Sequence, residues 1–203
     1  IVFRSDRGAK ETRGPHQNPH YNIYKLNYQT GQLTQLTDED HPVGSVTKTP
    51  DSELIAYLTA GKVKLLDTRS GQTTLLYQDD GGYDLYSPSI SSNRRYVGFA
   101  RNERVQATNS NINYGGFKES FYQIKDGRIT LAALDGSRWF DAYRSSHWLG
   151  HFQFAPHDPT LAMFCHEGPW NLVTQRIWLL DLVSQQIKPI FRQDQPDSVG
   201  HEF

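Results

Sequence analysis

The sequence predicts an all-β chain, an arc of a β-propeller made of four-stranded antiparallel blades. Three observations lead there. Pairs of apolar, β-prone runs joined by a polar turn recur four times; a second strand pair precedes three of them; and helical periodicity is nearly absent. Such units, recurring at roughly 40 to 65 residues, fit the radial blades of a propeller better than a sandwich.

The recurring hairpins fall at 22–37, 62–77, 128–143 and 176–191, each with a turn at or near Gly, Asp or Ser. The upstream strand pairs close on Thr49-Pro-Asp-Ser-Glu53, Ser91-Ser-Asn-Arg-Arg95 and Ala155-Pro-His-Asp-Pro159. The first repeat keeps only one upstream strand, Ile1-Val-Phe-Arg4, which matches Ile55-Ala-Tyr-Leu58. The blades are therefore placed at 1–40, 41–82, 83–147 and 148–196, with the next beginning at 197–203. Their inner strands are expected near Val43–Lys48, Leu85–Ser89, Gly150–Phe154 and Val199–Phe203. Insertions between second and third strands, at 6–21, 101–127 and 166–175, would crowd one rim, where propellers carry specificity. The chain opens without Met inside a strand-like run and closes inside another, so a longer protein is expected, its remaining blades covering the open faces.

The bulk properties exclude several classes. With 203 residues, 36% of them hydrophobic, the chain is long enough for a folded domain and too apolar for disorder. A net charge of −1, and no basic block beyond Arg94-Arg95, argue against a nucleic-acid partner. No apolar run reaches membrane-spanning length, so no membrane partner is expected. A single cysteine, Cys165, rules out an internal disulfide framework, which is compatible with the cytoplasm, and reads as a buried strand residue.

Candidate site residues come from register. Counting back from the turns at Pro50, Ser92 and Pro156, the same inner-strand slot holds Ser45, Ser87 and His151, and His201 is expected to fill it in the next blade. A glycine precedes the slot in Gly44, Gly150 and Gly200. Strand alternation sends Phe152 and Phe154 into the core and leaves His151 and Gln153 on the other face. Slots on neighbouring blades lie roughly 10 Å apart, close enough for two imidazoles to hold a metal and a small substrate between them. Taken alone, each histidine could equally cap a turn or bond a backbone carbonyl. In Cys165-His-Glu-Gly-Pro-Trp170, His166 and Glu167 suit a divalent cation, while the plainer reading is a tight turn with Trp170 packed over it. His147 and His157 read as surface residues, and no P-loop, Gly-x-Ser-x-Gly or His-Glu-x-x-His motif occurs.

The stretches SDR…NIYKLNYQTGQLTQLTD, HWLGHFQF with DPTLAMFCHEGPW and RIWLLD, and the closing GHEF together resemble the oligogalacturonate lyases, pectin-degrading intracellular enzymes on seven-bladed TolB-like propellers. The resemblance implies an arc of about four of seven blades. It also implies a cytoplasmic enzyme that splits short, unsaturated oligogalacturonates by β-elimination with a divalent metal, usually Mn2+. It assigns the general base to His151 and one metal ligand to His201, the other ligands belonging to later blades. Arg128 matches the second of two family arginines and is taken as a catalytic charge, whereas Asp126 stands where the first is usual. His166, Glu167, Trp170, Gln153 and Lys125 are then candidates for substrate contact. A non-catalytic TolB-like propeller that binds a sugar or a protein is the alternative, and a peptidase propeller is a more distant third.

Overall fold

A computed structural model describes residues 1–7, 20–105, 120–169 and 172–194. Fifteen strands form four antiparallel sheets among these residues. The first has three strands, β1 (Val2–Ser5), β2 (Asn22–Leu26) and β3 (Leu33–Gln35). The second holds β4 (Val43–Lys48), β5 (Leu54–Thr59), β6 (Lys62–Asp67) and β7 (Thr73–Gln78). The third holds β8 (Tyr83–Ile90), β9 (Tyr96–Glu103), β10 (Gly127–Ala133) and β11 (Trp139–Ser145). The fourth holds β12 (Leu149–Phe154), β13 (Leu161–His166), β14 (Ile177–Asp181) and β15 (Ile187–Pro189). Within each sheet the strands lie in chain order, the meander of a propeller blade. The expected inner strand 199–203 lies outside the described residues.

Local chemistry repeats with the blades. In three hairpins an Asn or Asp at the end of the hairpin's first strand (β2, β6 or β14) accepts a backbone N–H from two residues on: Asn27 from Gln29, Asp67 from Arg69 and Asp181 from Val183. The chain then passes through the left-handed region at Gly31, Gly71 and Gln185, with φ of 72°, 74° and 58°. Between first and second strands, Thr49 and Ser91 cap their own turns, and Ser52 and Arg94 take the left-handed position.

The cores lie between blades. Ile55, Tyr57 and Leu66 of the second blade close on Ile23 of the first. Ala56, Leu58 and Val63 face Val97, Phe99 and Ala132 of the third. Phe152, Phe154 and Phe164 of the fourth pack on Ala100, Ile129 and Leu131 of the third. Phe152 and Phe154 are thus buried as strand alternation requires, each worth about 1.5–3 kcal/mol of transfer free energy. The fit is tight, because a Cβ on Gly98 would lie 2.3 Å from the Phe152 ring.

Antiparallel pairing puts all second-to-third connections at one end of the arc. In the second blade this is the two-residue turn Ala60-Gly61, both at positive φ. The equivalent segments of the first, third and fourth blades are the long insertions, so that end carries whatever the blades add to the shared scaffold. No helix among the described residues is long and apolar enough to cross a membrane.

Candidate active site at the insertion-bearing rim

The slot shared by Ser87 and His151 is a strained one. In both inner strands the pairing slips by one residue there, between Tyr86 and Ser89 in β8 and between Gly150 and Gln153 in β12. Within these two strands Ser87 and His151 take the left-handed region, at φ 49° and 50°. In β4 the slip falls one residue earlier, between Val43 and Val46, and Ser45 lies within it without positive φ. A bulge turns one side chain out of the strand's alternation, and such strain persists where the surroundings over-determine it. Here they do: the His151 N–H donates to Ser87 Oγ at 3.0 Å, and the Phe154 N–H donates to Ser89 Oγ at 3.1 Å. Asn102 of β9 adds a donor and an acceptor to the backbone of Leu149, both at 2.8 Å.

The glycine before His151 has a packing reason. Trp148 folds back over Gly150, and a Cβ there would lie 1.8 Å from the indole. Phe121, from the insertion of the third blade, stacks on Trp148 at 4.4 Å between ring centroids, and Tyr86 meets it edge-on. The indole also stands edge-on to the His151 ring, 6.3 Å away. His151 is left with a side chain 36% exposed, beside a rigid aromatic wall.

Glu167 closes the other side. Its Oε1 lies 3.8 Å from His151 Nε2, within ion-pair range though beyond a hydrogen bond. The same oxygen accepts from Arg176 NH2 at 3.1 Å, and Arg176, 3% exposed, also donates to the carbonyl of Gly168. Gly168 in turn lies against Val173 and Tyr122, so the insertions of the third and fourth blades meet here. Lys125 extends over the Tyr122 ring and donates to its carbonyl.

His166 is placed differently. It is buried among the rings of Phe164, Trp178 and His147, and its Nε2 finds no protein hydrogen-bond partner among the described residues. Burial, with a smaller contribution from the neighbouring His147, pushes its pKa down to about 3, so the ring is neutral at ordinary pH. Cys165 is fully buried, His147 and His157 are exposed, and Gln153 is half-buried beyond the bulge. Trp170 and His201 lie outside the described residues.

Arg128 sits within a charged lattice of its own blade. It donates twice to Asp126 and once to Asp141, while Arg101 makes a forked pair with Asp141. Both guanidinium groups lie over the ring of Tyr83, whose hydroxyl donates to Asp126. The Arg128 hydrogen bonds hold the Asp126 carboxyl well below the usual carboxylate range, aided by Tyr83 and Arg144. Burial raises Asp141, but bonds from Arg101, Thr130 and Arg128 together outweigh it. Asp126 is therefore the hub that neutralises Arg128 and Arg144, and a third arginine there would crowd two others. Arg101, Asn102 and Arg176 escape a motif search because none belongs to a recognisable spacing of functional residues. Arginine inside the strand run of β9 was the one available signal. Among the described residues no three His, Cys, Asp or Glu side chains stand together to hold a metal ion.

A profile of the oligogalacturonate lyase family matches residues 2–203. The oligogalacturonate lyase of Dickeya dadantii (strain 3937) is 24% identical over 203 residues, covering 98% of this chain and 52% of that protein. An oligogalacturonide lyase of Pectobacterium atrosepticum is 22% identical over 200 residues, 97% of this chain and 51% of its own length. The chain spans about half the length of these curated relatives. In fold it matches a solved oligogalacturonate lyase in complex with manganese, with a TM-score of 0.77 and 24% identity, over 90% of this chain and 49% of that one. TolB from Acinetobacter baumannii matches with a TM-score of 0.58 and 15% identity, over 84% of this chain and 37% of its own. With the family profile covering nearly every residue on a propeller scaffold, the chain belongs to the oligogalacturonate lyase family.

Proposed function

We propose that the protein is a metal-dependent lyase that cleaves short oligogalacturonates, unsaturated digalacturonate among them, by β-elimination in the cytoplasm. The observation that carries this reading is His151 itself: a half-exposed imidazole, turned out of its strand by a bulge at φ 50° and walled by Trp148.

The reaction needs a base for the proton on the carbon next to the uronate carboxylate. A neutral imidazole suits that role near neutral pH. His151 takes the proton, the C–H electron pair becomes the new C4–C5 double bond, and the C4–O glycosidic bond breaks. The leaving oxygen acquires a proton from solvent, and His151 returns its own to solvent. A divalent cation, Mn2+ by analogy with the complex of the solved relative, would supply charge neutralisation at the substrate carboxylate. His201 is the ligand this chain contributes, with the remaining donors on other blades. Lys125, Gln153 and Trp170 are proposed substrate contacts on the rim. Arg128 stiffens the same rim through Asp126 and Asp141.

The test uses the complete protein with manganese and follows loss of the double-bond absorbance as the unsaturated uronates released by cleavage open to keto-uronate. His151→Ala should lower turnover by at least about 100-fold, the usual contribution of a general base, with manganese still bound. His201→Ala should instead weaken manganese binding, measured by calorimetry. A folded, metal-loaded protein without turnover would leave a TolB-like sugar-binding propeller as the better reading.

A further inference from the structure

Glu167 is a poor partner for the substrate. A uronate oligosaccharide is itself an anion, and a carboxylate facing it would repel it. Yet Glu167 is held firmly at the site, one oxygen taking a hydrogen bond from a guanidinium that is 3% exposed and is also tied to the Gly168 carbonyl. That same oxygen looks at His151 Nε2 across 3.8 Å. Trp148, which carries no charge, stands edge-on to the imidazole, and the Ser87 hydroxyl is engaged by the His151 backbone N–H.

We propose that Arg176 and Glu167 form a positioning pair that holds His151 with its Nε2–H toward the Glu167 carboxylate, so that Nδ1 is the atom that takes the substrate proton. The inference rests on His151 being the base, and it replaces the substrate-contact role for Glu167. A neutral imidazole carries one proton, and the hydrogen bond made by one nitrogen decides which nitrogen is left as acceptor. Glu167 is an acceptor with no proton to give, so it selects the tautomer protonated at Nε2 and leaves the Nδ1 lone pair free. When Nδ1 receives the carbon-bound proton, the resulting imidazolium gains a charged neighbour, and the 3.8 Å separation can close to a hydrogen bond. Catalytic hydrogen bonds are commonly long without substrate and tighten with it. Arg176 keeps Glu167 from turning toward solvent.

Two readouts on the complete protein test the pair. The first is the 15N spectrum of the His151 ring in metal-free protein, with the signal assigned by its loss in His151→Gln. The wild type should show the proton on Nε2, and Glu167→Gln should lose or reverse that preference. The second is steady-state kinetics on unsaturated digalacturonate. Glu167→Gln should lower kcat about tenfold with KM within about twofold, the pattern of a group acting only in the transition state; Glu167→Asp, which keeps the charge, should recover part of the loss. If Glu167→Gln does not fold, Glu167→Gln combined with Arg176→Met removes both charges and serves both measurements. An unchanged tautomer in the charge-free variant would overturn the proposal, as would a raised KM at constant kcat. Should the wild type show no lyase activity at all, the proposed function fails, while the tautomer measurement still decides the pairing of His151 with Glu167.

Discussion

His166 shows what burial does to one titratable side chain. In the folded protein its pKa is pushed down to about 3, first by burial and then by His147, whereas in the unfolded chain it titrates near 6.5. Because the folded value is depressed, the unfolded state binds the extra proton throughout that window, and stability falls as pH drops from about 6.5 toward 3. The slope approaches 1.4 kcal/mol per pH unit where the two states differ by a whole proton. His166→Phe keeps an aromatic ring against Phe164 and Trp178 and removes the titration. Urea unfolding at pH 7.5 and pH 5.0 should show the wild type losing about 2 kcal/mol more than the variant over that interval. Parallel losses in the two proteins would show that the ring is not held neutral. The same substitution leaves KM alone if His166 only packs and raises it if His166 reaches substrate.

At the scale of the strand, the glycine before the shared slot does different work in different blades. Gly44 and Gly150 occupy matching positions counted from the turns at Pro50 and Pro156, but Gly150 precedes the slip of β12 whereas Gly44 lies within that of β4. At Gly150 a Cβ would collide with the Trp148 indole at 1.8 Å, while at Gly44 the nearest atoms are the carbonyl and Cβ of Leu58 at 3.5 and 3.6 Å, an ordinary contact. Gly150→Ala should therefore cost about 1–3 kcal/mol, as overpacking does, and displace His151 enough to lower kcat. Gly44→Ala should stay within about 0.5 kcal/mol of wild type, as for a substitution away from any constraint. Equal effects at the two glycines, measured by denaturant unfolding, would refute the packing explanation. The strand pattern was legible because β5, β9 and β13 begin as short apolar runs next to turn residues, as strands buried on both faces do. The bulges were not, since a slip of one residue changes pairing geometry without changing residue types.

Across the whole molecule, polar side chains set blades against each other as firmly as the apolar cores do. Asn102 is 1% exposed and satisfies both the N–H and the carbonyl of Leu149 in the next blade. Ser87 and Ser89 serve His151 and Phe154 in the same way, and Arg4 reaches the carbonyls of Val43 and Gly44 from the first blade into the second. Inner strands have one edge without a strand partner, so their backbone groups must find acceptors and donors across the blade interface. Asn102→Ala should cost about 2–4 kcal/mol by stranding two buried backbone groups beside a small cavity. Because Leu149 lies two residues before His151, kcat should fall as well. Near-wild-type stability in thermal and urea unfolding would mean that the apolar core alone fixes the blade spacing.

The blade repeat, the burial of Phe152 and Phe154 and the common register of Ser45, Ser87 and His151 could be read from the sequence alone, because each follows from a period of two residues and from turn chemistry within a few positions. The family motif around His151 was equally local. What the tertiary structure decided is which groups face one another across blades and insertions: Glu167 with His151 and Arg176, Trp148 folded over Gly150, Arg128 neutralised by Asp126 and Asp141. His166 belongs in the same class, since a histidine at a strand end reads as a candidate substrate contact until its neighbours are known to be rings. Side-chain chemistry fixes what a residue can do; the packing of chain segments distant in sequence fixes which charge it meets and how much water it keeps.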